Sequence, residues 1–186
     1  RDRVSYPLDP LSADEFTAVA AILQREHEVG DGWRIASVEL VEPAKKELAD
    51  FDNGGAVPPR RAEVVCLQRA NNATYKGVVS LADSRVESFE HIPGVQANFT
   101  VEFLECDELV RKHPDFIAAL EKRGITDMDL VFVDTWTYGD AVAPPEYRDR
   151  RLGWSDTWRK DGPGQSPYAH PISGLHCVID VNSMEV

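Results

Sequence analysis

The sequence predicts an α+β fold made of two small units, each a helical segment packed on an antiparallel β-sheet. Three observations carry that expectation. A capped amphipathic helix near the start is followed by four strand-like runs. Pro93-Gly94 then breaks the pattern. Beyond the break a second helical region is again followed by strand-like runs. Helix then meander therefore occurs twice, over 1–94 and 95–186, without visible sequence identity between the two.

In the first unit, Ser12 to Glu15 reads as a capping box, the Ser12 hydroxyl accepting from the Glu15 amide and the Glu15 carboxylate reaching back. Leu11 and Phe16 stand where a hydrophobic staple would put them. Phe16, Val19, Ala20 and Leu23 follow the i, i+3, i+4, i+7 rule, and Gly30 or Gly32 is the expected stop. Asp14, Glu15, Arg25 and Glu26 make the solvated face. Trp33–Val41 is the first strand. Pro43–Pro59 is polar and contains Gly and Pro, so an exposed and mobile loop is expected. Ala62–Arg69 and Ala73–Leu81 are strands joined by Asn71-Asn72, residues that tolerate φ > 0 and suit a tight hairpin. Arg85–Ile92 follows a short turn at Asp83-Ser84.

In the second unit, Glu105–Lys112 and Pro114–Arg123 form a helical region broken at His113-Pro114, where proline suits the first helical position. Leu109, Val110, His113, Ile117 and Leu120 make the apolar stripe, and Gly124 is the stop. Asp129–Tyr138 and Arg151–Lys160 are strands, with Pro144-Pro145 and Asp161–Gly164 in the loops. Leu175–Val186 is the last strand. Leu175, Cys177, Ile179 and Val181 fall on one face, and His176, Val178, Asp180 and Asn182 on the other. Before it, Pro171 fixes its own φ and Gly174 can take the positive φ that ends a bend. The chain stops at Val186 on an apolar strand residue, which reads as a cut rather than a natural terminus.

A net charge of −12 and an isoelectric point near 4.8 argue against a nucleic-acid surface, which needs a basic patch, and against anionic lipid. No apolar run approaches a membrane span, and Arg1–Val4 have no signal-peptide character. Cys66, Cys106 and Cys177 are odd in number, widely spaced and in apolar contexts, so buried free thiols are expected. Asn72-Ala-Thr74 and Asn98-Phe-Thr100 match the glycosylation tripeptide, which has meaning only in a secretory pathway.

Catalytic constellations are missing. His27, His91, His113, His170 and His176 contain no pair at metal-ligand spacing, and His170 and His176 lie six apart across a turn. No Gly-x-Ser-x-Gly occurs, and His176 beside Cys177 points to the opposite strand face. Asp134 and Asp180 read as strand residues with turn or edge hydrogen bonds. The aromatics are more informative: Trp136 and Tyr138 share one strand face, and Trp154 and Trp158 another. Together they make one packed hydrophobic face or an exposed one.

Tyr168-Ala-His-Pro-Ile-Ser-Gly-Leu175, followed by Asp180-Val-Asn-Ser-Met-Glu-Val186, resembles the end of the third N-terminal domain (N3) of copper amine oxidases. Pro7-Leu-Asp-Pro-Leu-Ser-Ala-Asp-Glu15 is similar to the start of that family's preceding domain (N2). The resemblance spans nearly the whole chain and implies two cystatin-like α+β domains. For the parent it implies oxidative deamination of primary amines by copper and topaquinone, in a homodimer. The family's copper is held by three histidines, two as His-x-His, and its topaquinone forms in Asn-Tyr-Asp/Glu. Neither pattern exists here, so catalytic, metal and cofactor-binding residues are expected to be absent from this stretch. By resemblance, Phe103, Trp136 and Tyr168 fall where the third domain lends side chains to the mouth of the substrate channel. An exposed aromatic there suits an organic ammonium ion.

The role implied is to shape that channel and pack against the catalytic domain, in a cytoplasmic parent, with the periplasm and secretion as alternatives. The rival reading is a free-standing binding module of two cystatin-like units, since fold alone decides no function.

Overall fold

The structure, a computed structural model, describes residues 6–139, 143–148 and 150–186. Arg1–Val4, judged above for signal-peptide character, lie outside the described residues. The fold is α+β, in two compact units, 1–97 and 98–186.

In the first unit the order is α1 (Ala13–His27), β1 (Trp33–Leu40), α2 (Lys45–Asp52), β2 (Arg61–Gln68), β3 (Ala73–Ser80) and β4 (Arg85–Ile92). The strands form an antiparallel sheet in the order β1-β2-β3-β4. The capping box is formed: Ser12 Oγ accepts from the Glu15 amide at 3.2 Å, and Glu15 accepts from the Ser12 amide at 2.8 Å. Arg60 then clamps Glu15 at 2.6 Å and donates to the carbonyls of Pro7, Asp9 and Pro10, tying down the approach to the helix. Val19, Ile22 and Leu23 face a core completed by Val29, Ala62, Val64, Cys66 and Val79.

Three expectations change here. Phe16 is 44% exposed and Ala20 is exposed, so Ile22 completes the inward stripe. The helix ends at Glu28, in the left-handed region at φ 55°, before either glycine. Pro43–Pro59 is exposed but not a plain loop. It holds α2, whose N-terminus is closed by the Ala44 amide on the Glu47 carboxylate and whose flank carries a Lys46–Asp50 pair. None of its residues is buried, which is why apolar periodicity misses it. The alternation of β1 is mixed because a bulge lies between Ile35 and Ser37. The β2–β3 loop works as its asparagines suggest: Asn72 takes φ 58° and Asn71 accepts from the Ala73 amide.

In the second unit the order is α3 (Val101–Arg111), α4 (Pro114–Glu121), β5 (Val131–Thr137), β6 (Leu152–Arg159), β7 (His170–Pro171) and β8 (Val178–Asp180). Pro114 opens α4, and Gly124 turns the chain after it at φ 73°. Cys106, Val110, Phe116 and Leu120 from the helices meet Val131, Val133, Ile179 and Val181. The stripe thus runs through Cys106 and Phe116, with Leu109, His113 and Ile117 half-buried. Helix α3 begins earlier than expected and buries Glu102. That carboxylate meets Arg151 at 2.5 Å, each side chain 2% exposed. Thr100 donates to it from its amide, and Arg151 also donates to the Asn98 carbonyl and lies over the Phe99 ring.

The last strand is not continuous. β7 and β8 pair with opposite ends of β6, and residues 172–177 bulge between them, with Gly174 at φ 71°. Side chains replace part of the missing ladder: Ser155 Oγ accepts from the Cys177 amide, and Thr157 Oγ1 donates to the Leu175 carbonyl. The alternation is kept, since Ile179 and Val181 are buried, but 181–184 form a turn rather than a strand.

Candidate functional site

The second sheet buries one face and leaves the other open. Along β5 the inward residues are Val131, Val133 and Thr135, all buried. Strand periodicity turns Phe132, Asp134 and Trp136 to the opposite face. Their β6 partners across the ladder are Trp158, Asp156 and Trp154, respectively. Two aromatic pairs thus bracket a pair of carboxylates.

Tyr168 reaches this face from the turn before β7. Its ring meets Phe132 and Trp158 edge-on, with centroids 5.4 and 5.3 Å away. Phe103, on α3, meets Phe132 from the other side at 5.8 Å. His176 stacks on Trp154 at 5.1 Å. Its Nδ1 lies 3.1 Å from the Ser155 carbonyl and 3.3 Å from Asp156. His170 turns instead to Asp161, at 2.7 Å, so the two histidines across the turn serve separate partners.

The three residues singled out from the sequence fall as follows. Trp136 is 60% exposed and Tyr168 49% exposed, and Phe103 is half-buried. Phe103 and Trp136 line one cleft of about 290 Å³ together with Asn98, Phe99 and Thr135. Tyr168 does not line that cleft and is linked to it through Phe132. Tyr138, on the other hand, lines a separate open recess with Trp154.

Asp134, expected as a strand residue with a turn or edge hydrogen bond, is buried on this face. Its Oδ1 is buried without a hydrogen-bond partner, and the residue is 5% exposed. Burial pushes its carboxyl up from the ordinary aspartate value. The opposed Asp156 charge adds to the rise, and the Trp136 indole and the Tyr168 hydroxyl partly offset it. The available signal was its place in an aromatic row, between Phe132 and Trp136 at strand period. The three thiols are free, and burial pushes Cys66 and Cys106 up to about 11.

Comparison with known proteins follows the same division of the chain. Residues 6–92 match the copper amine oxidase N2 domain, and residues 101–186 match the N3 domain. The chain is 37% identical over 185 residues to a primary amine oxidase of Arthrobacter sp. (strain P1), covering 98% of this chain and 28% of that protein. It is 31% identical over 224 residues to the copper-containing diamine oxidase 1, peroxisomal, of Nicotiana tabacum, covering all of this chain and 28% of that protein. Among solved structures, a copper-containing benzylamine oxidase from Hansenula polymorpha superposes with a TM-score of 0.71 at 19% identity, over 97% of this chain and 29% of that one. That last likeness speaks for the fold alone.

Proposed function

The chain belongs to the copper amine oxidase family, as its N2 and N3 domains, and from that premise we propose that it shapes the substrate-channel mouth of a primary-amine oxidase and packs on the catalytic domain of the same chain. It spans about 28% of the length of the relatives it matches. The proposed parent, a homodimer, converts a primary amine, dioxygen and water into an aldehyde, ammonia and hydrogen peroxide. Copper and topaquinone supply that redox chemistry. Among the described residues no three His, Cys, Asp or Glu side chains form a set for a metal ion, and no tyrosine has the Asn-Tyr-Asp/Glu context. No step of turnover is assigned to the residues of this chain.

The observation that carries the reading is the open aromatic face: Trp136 and Tyr168 expose 60% and 49% of their surface within the N3 match. Exposed apolar rings grouped on one face mark a surface that meets something. We place Phe103, Trp136 and Tyr168 at the channel mouth on that ground. The names of similar proteins range over methylamine, diamine and histamine oxidases, so the family leaves the amine open. We take the boundary between the domains at Pro93-Gly94, which lies between the two matched stretches. We also place the parent in the cytoplasm, where three unpaired thiols are at home.

The test is substitution in the full-length oxidase. Trp136→Ala and Tyr168→Ala should change kcat/KM unequally for a small amine such as methylamine and a bulky one such as benzylamine, with copper content unchanged. The same proportional change in kcat/KM for both amines, in both variants, would remove these residues from the channel.

A further inference from the structure

Of Asn53, Asn71, Asn72, Asn98 and Asn182, only Asn53 is followed by glycine. It belongs to neither core and stands in the exposed stretch that carries α2. Asn53 closes that helix, and Gly54 follows in the left-handed region at φ 88°. The Gly54 amide donates to the Phe51 carbonyl and the Gly55 amide to the Asp50 carbonyl, both at 2.9 Å, which are the paired bonds of a Schellman ending. Asn53 Nδ2 donates to the Ala49 carbonyl at 2.7 Å.

A glycine after an asparagine has a chemical consequence. Its nitrogen can reach the asparagine Cγ and close a five-membered imide, an approach that a Cβ on the second residue hinders. At Gly54 no atom from elsewhere in the chain stands within 4 Å of where a Cβ would be, and Asn53, Gly54 and Gly55 are all open to water. The helix ending is what holds the reaction back. The Gly54 amide is engaged, and Asn53 sits at φ −89° and ψ 14°, so the last turn must open before the nitrogen can turn towards Cγ. Opening it costs little. No residue of α2 is buried, and its side-chain ties are the exposed Lys46–Asp50 pair and Tyr6, which meets the Phe51 ring at 5.6 Å and Asp52 at 3.4 Å. Such an end belongs to the least protected part of a fold.

We propose that Asn53 is a modification site, converting spontaneously to aspartate and isoaspartate at a rate gated by the last turn of α2. The Gly54 nitrogen bonds to Asn53 Cγ, the Cγ–Nδ2 bond breaks, and ammonia leaves with the proton of the Gly54 amide. Water then opens the imide. Attack at the side-chain carbonyl gives aspartate, and attack at the main-chain carbonyl gives isoaspartate, with one more methylene in the backbone. Nothing is oxidised or reduced. Either product sets a carboxylate at the negative end of α2, beside Asp50 and Asp52, where the helix dipole and the neighbouring charges both disfavour it. Conversion thus favours the open turn. None of this depends on the channel-mouth reading.

The test ages the full-length oxidase in mildly alkaline buffer and maps its peptides by mass. The peptide holding Asn53 should gain the mass that separates an acid from an amide before those holding Asn71, Asn72, Asn98 and Asn182. It should also become a methyl acceptor for an isoaspartate-specific carboxyl methyltransferase. Asp31-Gly32 and Asp161-Gly162 can form the same imide, but without loss of ammonia, so the mass gain separates them. Urea should speed conversion at Asn53 by no more than about tenfold, because the turn opens readily in the folded chain. A greater acceleration means that the fold protects Asn53 and overturns the proposal, as does an intact Asn53 after another asparagine has converted. Gly54→Ala, compared with the unaltered chain in urea so that strain at positive φ does not enter, should slow the reaction at least tenfold, the Cβ acting on the imide closure alone. Equal rates there overturn the chemistry assigned to the pair. Asn53→Gln should remove both signals from this peptide, and their persistence would place the reaction elsewhere.

Discussion

Replacing Glu102 with Ala should be among the most damaging single changes in the second unit. The carboxylate meets Arg151 at 2.5 Å, both side chains are 2% exposed, and Thr100 bonds to the same group. Removing it leaves a guanidinium buried without its anion. Breaking a buried pair from one side costs about 3–5 kcal/mol. A small domain has about 5–15 kcal/mol in all, so roughly a fifth or more of the stability is at stake. The double variant Glu102→Leu, Arg151→Met should recover most of the loss, because replacing both buried charges with apolar groups is often close to neutral. Urea unfolding followed by tryptophan fluorescence separates the units, since Trp33 reports on the first and Trp136, Trp154 and Trp158 on the second. pH gives an independent check. Burial pushes the Glu102 carboxyl up, but hydrogen bonds from Thr100 and Arg151 and the Arg151 charge bring it below its ordinary value. Its contribution is therefore complete above the unfolded glutamate value, about 4.3, and lost as pH falls through the lowered folded one. The Ala variant should lack that part of the acid transition. A loss under about 1 kcal/mol for Glu102→Ala, or a double variant no better than the single, would refute the reasoning.

Gly77→Ala should destabilise the first sheet by about 1–3 kcal/mol in urea, because a Cβ there would stand 2.8 Å from the Ser88 carbonyl oxygen and 2.9 Å from the Phe89 ring. Arg60→Ala should loosen 7–10 and cost about 1.5–3 kcal/mol, seen as earlier proteolysis on the approach to α1. Iodoacetamide at neutral pH should leave Cys66 and Cys106 unlabelled in the native chain and label both in urea, since burial holds their thiols near 11. Tyr168→Ala should cost about 1–3 kcal/mol for its two edge-on ring contacts, below the loss for a fully buried ring. Amide exchange should open α2 first, because none of its residues is buried.

Local chemistry made most of the elements legible. The Ser12–Glu15 box, the asparagines at 71–72 and Pro114 each specify their own backbone within a few residues, and each took the expected form. What escaped depends on distant partners. Glu102 looks like a surface residue until Arg151, forty-nine positions on, is brought against it. Helix α2 carries no apolar stripe and is closed by Glu47 on a backbone amide, without a Ser or Thr cap. Ile22 displaces Ala20 from the core because the sheet's position, unknown from the helix alone, decides which side is inward. At the site, Trp136 and Tyr168 were legible as aromatics, but their exposure was not a property of the sequence. Asp134 reads in the sequence as an ordinary strand residue, because its neighbour across the ladder, Asp156, lies twenty-two residues away.

The interrupted third strand bears on self-association. A sheet edge is a row of amide donors and acceptors on which another copy of the chain can template itself. Here that row is cut to the two residues of β7 and the three of β8, with a glycine bend at φ 71° between them and hydroxyls of Ser155 and Thr157 already engaged. A strand laid against this side would find amides in register for only a few residues before losing alignment. Straightening the bend, for instance with Gly174→Val and Ser173→Thr, would restore a longer ladder and offer another copy of the chain more edge to pair with.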